Sequence, residues 1–279
     1  MTLVSLTTIN LNGIRAATKR GFQAWLETAG PDVLLMQEVR ADEQIATSLL
    51  GDSWHSVFYP SQIKGRAGVG VAVRKDSKAV APRLTEDVRR GLSDEEVPVD
   101  SGRWLEVPLD TSSGHVLRVV SAYFHSGEVG TPRQDAKMAH FEPLTSRFDS
   151  LLTEASNGGS HAVVAGDFNV VRSEADIKNW KPNHNKRAGV LDEEIVYLNR
   201  WVDQGWVDSV RQLAGDGPGP YSWWSWRGKA FDNDTGWRID YQYATPGFGA
   251  GAQNFSIFRA PSWDTRFSDH APVTVTYLV

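Results

Sequence analysis

Cysteine is absent from all 279 residues. Its absence removes disulfides and thiolate metal sites from consideration and fits a reducing compartment. No run approaches the roughly 20 apolar residues that span a bilayer. The opening Met1-Thr2-Leu3-Val4-Ser5 has neither a basic segment nor a long apolar one. A secretory leader is therefore not expected, and a cytoplasmic location is. An excess of positive charge is missing too: the formal net charge is −5 and the pI is near 5.8. That argues against a nonspecific polyanion binder, which carries a broad basic face. It leaves room for an enzyme acting on an anion, because the local field is what matters there. Neither a repeat of fixed period nor a linker with a compositional shift is present, and Gly215-Asp216-Gly217-Pro218-Gly219-Pro220 reads as a loop. One domain over residues 1–279 is expected.

What is present is ample core material: 41% hydrophobic residues, with 11 Trp, 11 Phe and 7 Tyr. Strand-like runs are predicted at 3–9, 32–37, 55–59, 68–74, 103–109, 115–124, 162–165, 221–226, 237–244, 255–259 and 272–278. Helices are predicted at 20–29, 43–50, 133–155 and 193–213. Strands flanked by helices on both sides indicate a layered α/β fold. The antiparallel-looking middle calls for mixed rather than purely parallel sheets.

Five apolar runs end in a polar tip. These are Asn10 and Asn12, Gln37-Glu38, Asp167 with Asn169, Asp240, and Asp269-His270. Each has an ordinary explanation. Alone, Glu38 reads first as a solvated loop residue, Gly166-Asp167-Phe168-Asn169 equally as an Asx turn, and Asn10-Leu11-Asn12-Gly13 as a tight turn. Taken together, carboxylates, carboxamides and one histidine are the donor set of a hard divalent cation with an acid–base partner. Strand ends of an α/β sheet converge on one rim, where such a site forms. Asp240 is a carboxylate able to fix the tautomer of His270. The segment Tyr221-Ser222-Trp223-Trp224-Ser225-Trp226 reads either as core packing or as a wall for a sugar or base. Arg227, Lys229 and Arg238 beside it are candidate phosphate contacts.

On these residues the chain resembles the exonuclease III family of apurinic/apyrimidinic endonucleases, within the endonuclease/exonuclease/phosphatase superfamily. The matching segments include Asn10-Leu11-Asn12-Gly13-Ile14-Arg15-Ala16, Leu35-Met36-Gln37-Glu38, Gly102-Arg103, Ala122-Tyr123-Phe124, Gly166-Asp167-Phe168-Asn169-Val170, Gly236-Trp237-Arg238-Ile239-Asp240-Tyr241 and Ser268-Asp269-His270-Ala271-Pro272. The resemblance implies a four-layer α/β sandwich, two mixed β-sheets packed face to face with helices outside. It implies a monomeric enzyme using Mg²⁺, with Mn²⁺ able to substitute. The implied substrate is duplex DNA with abasic sites or blocked 3′ ends, cut 5′ to the abasic site, with 3′-end clearing and 3′-to-5′ exonuclease action alongside.

The resemblance also implies roles for single residues. Glu38 would be the chief metal ligand, with Asn10 and Asp269. Asp167 would activate or orient water, Asn169 would hold water or a phosphate oxygen, and Tyr123 would lie against the scissile phosphate. His270, oriented by Asp240, would stabilise phosphoryl charge. Trp223, Trp237 and Ile239 would line the abasic-sugar pocket, while Lys137 would contact DNA and Arg15 would support the fold. One departure is clear: the family usually has Pro-Asn-Gly or Pro-Gln-Gly where this chain has His125-Ser126-Gly127. Ser126 still donates a hydrogen bond but reaches less far, and His125 has no assigned role. Two rival readings keep the fold: a phosphatase of inositol lipids or sphingomyelinase-like esterase, and a DNA-binding module without catalysis.

Overall fold

The structure, a computed structural model, describes residues 2–84 and 87–279. The chain begins with β1 (Leu3–Asn10), α1 (Ile14–Lys19), α2 (Phe22–Ala29), β2 (Val33–Gln37), α3 (Glu43–Leu50), β3 (Trp54–Tyr59) and β4 (Val69–Arg74). Then follow β5 (Val80–Pro82), β6 (Arg89–Arg90), β7 (Trp104–Thr111), β8 (Val116–Tyr123), α4 (Pro132–Ser156) and β9 (His161–Asp167). The remainder holds α5 (Trp180–Asn183), α6 (Asp192–Asp203), β10 (Val207–Asp208), α7 (Ser209–Ala214), β11 (Asp240–Ala244), α8 (Pro246–Gly249), β12 (Ala252–Ile257) and β13 (Val273–Leu278).

The strands form two sheets. One runs β12-β13-β1-β2-β4-β3; the other runs β10-β11-β9-β8-β7-β5, with β6 also on β7. Each contains one parallel pair, β1 with β2 and β8 with β9, among antiparallel neighbours. Val4, Leu6, Val33 and Leu35 of the first sheet share a core with Val107, Val119, Val163 and Ala165 of the second. The opposite faces are covered by helices. Phe22, Trp25 and Ala46 pack on Ile9, Leu34 and Met36. Phe141, Phe148 and Trp201 pack on Val120, Val164 and Tyr243. The expected four layers are therefore present.

The two-residue period of a strand does more than fill this core. Along β9 the inward positions read Val163, Ala165, Asp167; along β8 they read Val119, Ser121, Tyr123; along β2 they read Val33, Leu35, Gln37. Each inner row thus passes from apolar to polar toward one end. Midway, a polar belt ties the sheets together. Gln37 Nε2 donates to Ser121 Oγ at 2.9 Å and Thr8 Oγ1 to Gln37 Oε1 at 3.1 Å. Gln242 Nε2 donates to the carbonyls of Leu6 and Val273 at 2.9 and 3.0 Å. Beyond that belt, register aligns Asp240, Asp167 and Tyr123 in one row across β11, β9 and β8.

Several expected elements differ. The helix predicted at 193–213 is two helices, α6 and α7, separated by Gly205 at φ 117° and the short β10. Asp208 caps α7 by accepting from the Arg211 amide at 3.1 Å, which starts a new helix instead of continuing the old one. The strand predicted at 221–226 is only an extended segment, bridged through Trp223 to Trp237 and His270. Gly166, expected to turn the chain, lies inside β9. A Cβ there would stand 1.8 Å from the Ala122 carbonyl oxygen, so glycine is needed for the close approach of β8. Among the described residues no helix is long and apolar enough to cross a membrane.

Candidate active site

The polar ends of the two sheets meet in a cleft of about 730 Å³. Its lining includes Glu38, Tyr123, Ser126, Asp167, Asn169, Trp223, Trp237, Ile239, Asp269 and His270. Asn10 lies wholly buried beneath it. Three of these polar tips leave their strands in the left-handed backbone region: Asn12 at φ 48°, Glu38 at φ 46° and Asn169 at φ 52°. Asparagine tolerates that conformation, whereas for glutamate it is uncommon and costs on the order of 1 kcal/mol or more. The Asx-turn readings hold as well, since Asn12 N donates to Asn10 Oδ1 and Asn169 N to Asp167 Oδ1, both at 2.9 Å. The turns aim the side chains, so the ordinary and the functional readings coincide.

Asn10 couples the carboxylates. Its Nδ2 donates to Glu38 Oε1 at 3.0 Å and to Asp167 Oδ2 at 2.9 Å. Asn169 Nδ2 donates to Asp167 Oδ2 at 3.1 Å and to the Phe124 carbonyl at 2.9 Å. Burial pushes the Asp167 carboxyl up to about 7; Asp240 and Glu38 add like-charge repulsion, against His270 and the Asn10 hydrogen bond. His270 Nδ1 lies 2.9 Å from Asp240 Oδ2, and its Nε2 lies 3.7 Å from Asp167 Oδ2. Burial opposes a charge on this ring, but Asp240 and Asp167 outweigh it and hold the imidazole up at about 10. Asp240 is fixed in turn by Ser222 Oγ, which donates at 2.6 Å. The result is an imidazolium with one nitrogen anchored and the other turned toward the cleft.

Burial holds the Tyr123 phenol well above its usual range, and Glu38 and Asp167 add to the effect. The Arg103 guanidinium lies 4.9 Å over its ring. Asp269 accepts from Asn12 Nδ2 at 2.9 Å and from Trp223 Nε1 at 3.1 Å. On the apolar side Trp223 and Trp237 meet edge to face, with centroids 5.5 Å apart. They are also joined by reciprocal backbone hydrogen bonds of 2.9 Å. Arg187 covers the Trp237 ring at 5.3 Å.

Glu38, Asp167 and Asp269 offer hard oxygen donors to one cleft, with no soft donor among them, and this fits a hard divalent cation. Glu38, which also pairs with Arg40, and Asp269, which accepts from Asn12 and Trp223, are the carboxylates that would turn to hold it. Asn10 turns its amide nitrogen, not its oxygen, toward Glu38 and Asp167, so in this orientation it bridges carboxylates. Asp167, Asp240 and His270 also stand close enough to share an ion. That trio suits one less well, because the imidazole between its two aspartates is held charged.

Two expected DNA contacts are corrected. Arg238 is fully buried, with its Nε on Asp176 at 2.6 Å and its terminal nitrogens on Asp208 at 2.9 and 3.0 Å. Each carboxylate has a second arginine partner, Arg211 at 2.5 Å from Asp176 and Arg172 at 3.4 Å from Asp208, so Arg238 is the centre of a buried ion-pair network. Lys137 is 1% exposed and binds Glu194 Oε1 at 2.8 Å and the Asn169 carbonyl at 3.0 Å. It holds the Asn169 loop and reaches no solvent. Arg15 is exposed. Sequence reasoning missed Ser222 and Arg103 as parts of the site. For Ser222 no signal existed, because its place among tryptophans says nothing of the Asp240 contact; for Arg103 the Gly102-Arg103 match was the available hint.

Residues 7–270 match the model of the Endonuclease/Exonuclease/phosphatase family. An exodeoxyribonuclease of Bacillus subtilis is 30% identical over 97% of this chain and 98% of its own. A 3′-5′ exonuclease from Neisseria meningitidis superposes with a TM-score of 0.77 at 26% identity, covering 98% of this chain and 99% of that one. The fold is likewise that of an AP endonuclease from Leishmania major, with a TM-score of 0.82 at 22% identity over 99% of this chain and 87% of that one. The row of polar strand ends, set on two facing mixed sheets and matched nearly end to end, places this chain in the endonuclease/exonuclease/phosphatase family.

Proposed function

We propose that this protein is a metal-dependent DNA-repair nuclease that hydrolyses the backbone of duplex DNA 5′ to abasic sites and clears blocked 3′ ends, with 3′-to-5′ exonuclease action alongside. The observation that carries the reading is the joining, in one cleft, of the His270–Asp240 pair, the Asn10-bridged Glu38 and Asp167, and an aromatic wall of Trp223 and Trp237. Relatives named as exodeoxyribonucleases support the nuclease class. A bound Mg²⁺, for which Mn²⁺ could stand in, would neutralise phosphate oxygens and the developing charge.

In this reading Asp167 takes or orients the proton of the attacking water, for which a carboxyl near 7 is well matched at neutral pH. Asn169 holds Asp167 in place and reaches the same water. Charged His270, its Nδ1 side fixed by Asp240, donates from Nε2 to a phosphoryl oxygen and stabilises the transition state. The Tyr123 phenol, kept protonated by its surroundings, donates toward the scissile phosphate, and Ser126 on the cleft rim can donate to a neighbouring one. Lys186 and Arg187, exposed beside the cleft, meet flanking phosphates. Trp223, Trp237 and Ile239 form a slot that accepts a bare deoxyribose and excludes a nucleotide by size. That slot favours a DNA substrate over an inositol lipid. The intact row of acid–base groups favours catalysis over binding alone.

A labelled duplex with one abasic site tests the proposal. Incision is expected with Mg²⁺ and is abolished by EDTA. Trp237→Ala should cut the preference for abasic over intact DNA by roughly 10-fold or more while 3′-end resection persists. An unchanged ratio in a folded variant rules out the wall, and no metal-dependent incision rules out the nuclease.

A further inference from the structure

His125 stands where the resemblance offers no role, and the cleft chemistry does not use it. It sits just beyond β8, with its Nε2 2.7 Å from Asp100 Oδ1 on the loop that precedes β7. His140, on α4, meets the His125 ring edge-on with centroids 5.0 Å apart. One ligating atom from each of Asp100, His125 and His140 lies within 4.8 Å of the other two. Nδ1 of His140 is buried without a hydrogen-bond partner, although the residue is only 5% exposed. An orphaned imidazole nitrogen at that depth is costly unless something occupies it. Two imidazoles and one carboxylate are a borderline-soft set, unlike the all-oxygen donors of the cleft.

We propose that Asp100, His125 and His140 form a second metal site that takes Zn²⁺. Zinc bonds of about 2.1 Å in tetrahedral geometry place ligand atoms about 3.4 Å apart, so on binding the 2.7 Å His125–Asp100 hydrogen bond opens by about 0.7 Å, its proton is released to solvent, and water takes the fourth position. The site has access to solvent, because His125 lines a groove of about 510 Å³ beside the cleft, and the Asp100 side chain is 26% exposed. Two cations stand nearby, and both are engaged elsewhere. Arg103 donates to the Val99 carbonyl at 2.9 Å and covers Tyr123, and Lys137 is paired with Glu194. Three separate elements supply the ligands, so the ion would staple the loop before β7 to the exit of β8 and to α4.

The test uses the full chain, stripped with chelator and titrated calorimetrically with ZnCl₂. Cobalt absorption then reports the ligand field, and circular dichroism confirms folding. One site should survive in Glu38→Gln and lose at least about 100-fold in affinity in His140→Phe and in Asp100→Asn, more than loss of a merely supporting residue costs. Zinc should raise the melting temperature of the wild type and of Glu38→Gln but not of His140→Phe. Should His140→Phe not fold, Asp100→Asn on its loop carries the test. The proposal is overturned if no site binds zinc, or if zinc binding is lost in Glu38→Gln and unchanged in the other two variants.

Discussion

Two buried histidine clusters border the same end of the second sheet, and their imidazoles move in opposite directions. Each pairs a ring with an aspartate: His270 with Asp240, and His125 with Asp100. Burial disfavours the charged ring in both. Around His270 the carboxylates of Asp240, Asp167 and Asp269 overcome it and hold the ring up at about 10. Around His125 there is one carboxylate, with Arg103 and Lys137 opposing, and the ring is held low. His140, facing His125 and Arg103, is pushed down to about 3 by burial first. An aspartate partner therefore does not fix the charge of a buried histidine; the count of surrounding charges does. One cluster is made to carry a charged imidazole, the other to keep its imidazoles neutral.

The sharpest way to break the first cluster is Asp167→Asn, which removes the proposed proton acceptor and keeps the shape. Turnover should fall by about 10³-fold, within the range for a lost general base, while DNA affinity stays within a few-fold. Single-turnover incision and fluorescence anisotropy measure the two. Normal turnover with weakened binding would make Asp167 a turn residue only. Asp240→Asn should cost less, about 10²-fold, because it acts through His270. Its particular signature is in the imidazole: with the main carboxylate gone and burial unchanged, the His270 pKa must fall. Imidazole NMR shifts followed against pH show this. A ring that stays charged across neutrality in the variant would show that Asp167 and Asp269 suffice.

The contrast also marks what the sequence could and could not reveal. The cleft cluster was legible because its members lie at the ends of apolar runs: strand periodicity carries Asn10, Asp167 and Asp240 to the inner face, and turns aim Glu38 and Asn169. Asp167, Asp240 and Tyr123 needed only register to become neighbours. The second cluster combines a loop, a strand exit and a helix face, and no local pattern links Asp100 to His140. The same limit explains Arg238 and Lys137. Arg238 lies within a matching segment and Lys137 within a predicted helix, yet their partners Asp176, Asp208 and Glu194 come from distant, unpatterned segments. Burial turned two expected phosphate contacts into internal ion pairs. The split of the predicted helix at 193–213 had a visible cue in Gly205, but a single glycine inside an amphipathic run does not by itself require a break.

The last effect lies in stability, and it sharpens the comparison most directly, since the two clusters should set opposite limbs of one pH profile in metal-stripped protein. For His140 the folded value of about 3 lies below the ordinary 6.5. Between those values the unfolded chain takes up a proton that the folded chain refuses. Stability must therefore fall as pH drops from about 6.5 toward 3, by at most about 1.4 kcal/mol per pH unit for one proton. For His270 the folded value is raised, so its contribution is complete below about 6.5 and is lost as pH rises toward 10. His140→Phe keeps a ring of similar size against His125 and removes the titration, so it should flatten the acid limb and leave the basic one. Asp240→Asn should flatten the basic limb, and it also lowers the Asp167 carboxyl that Asp240 helps to hold up at about 7, so the Asp167 contribution on the acid side shrinks with it. Urea midpoints between pH 4 and 9, compared at constant m-value, provide the measurement. An acid limb equally steep in His140→Phe and in the wild type would place the responsible proton elsewhere and undo the contrast between the two clusters.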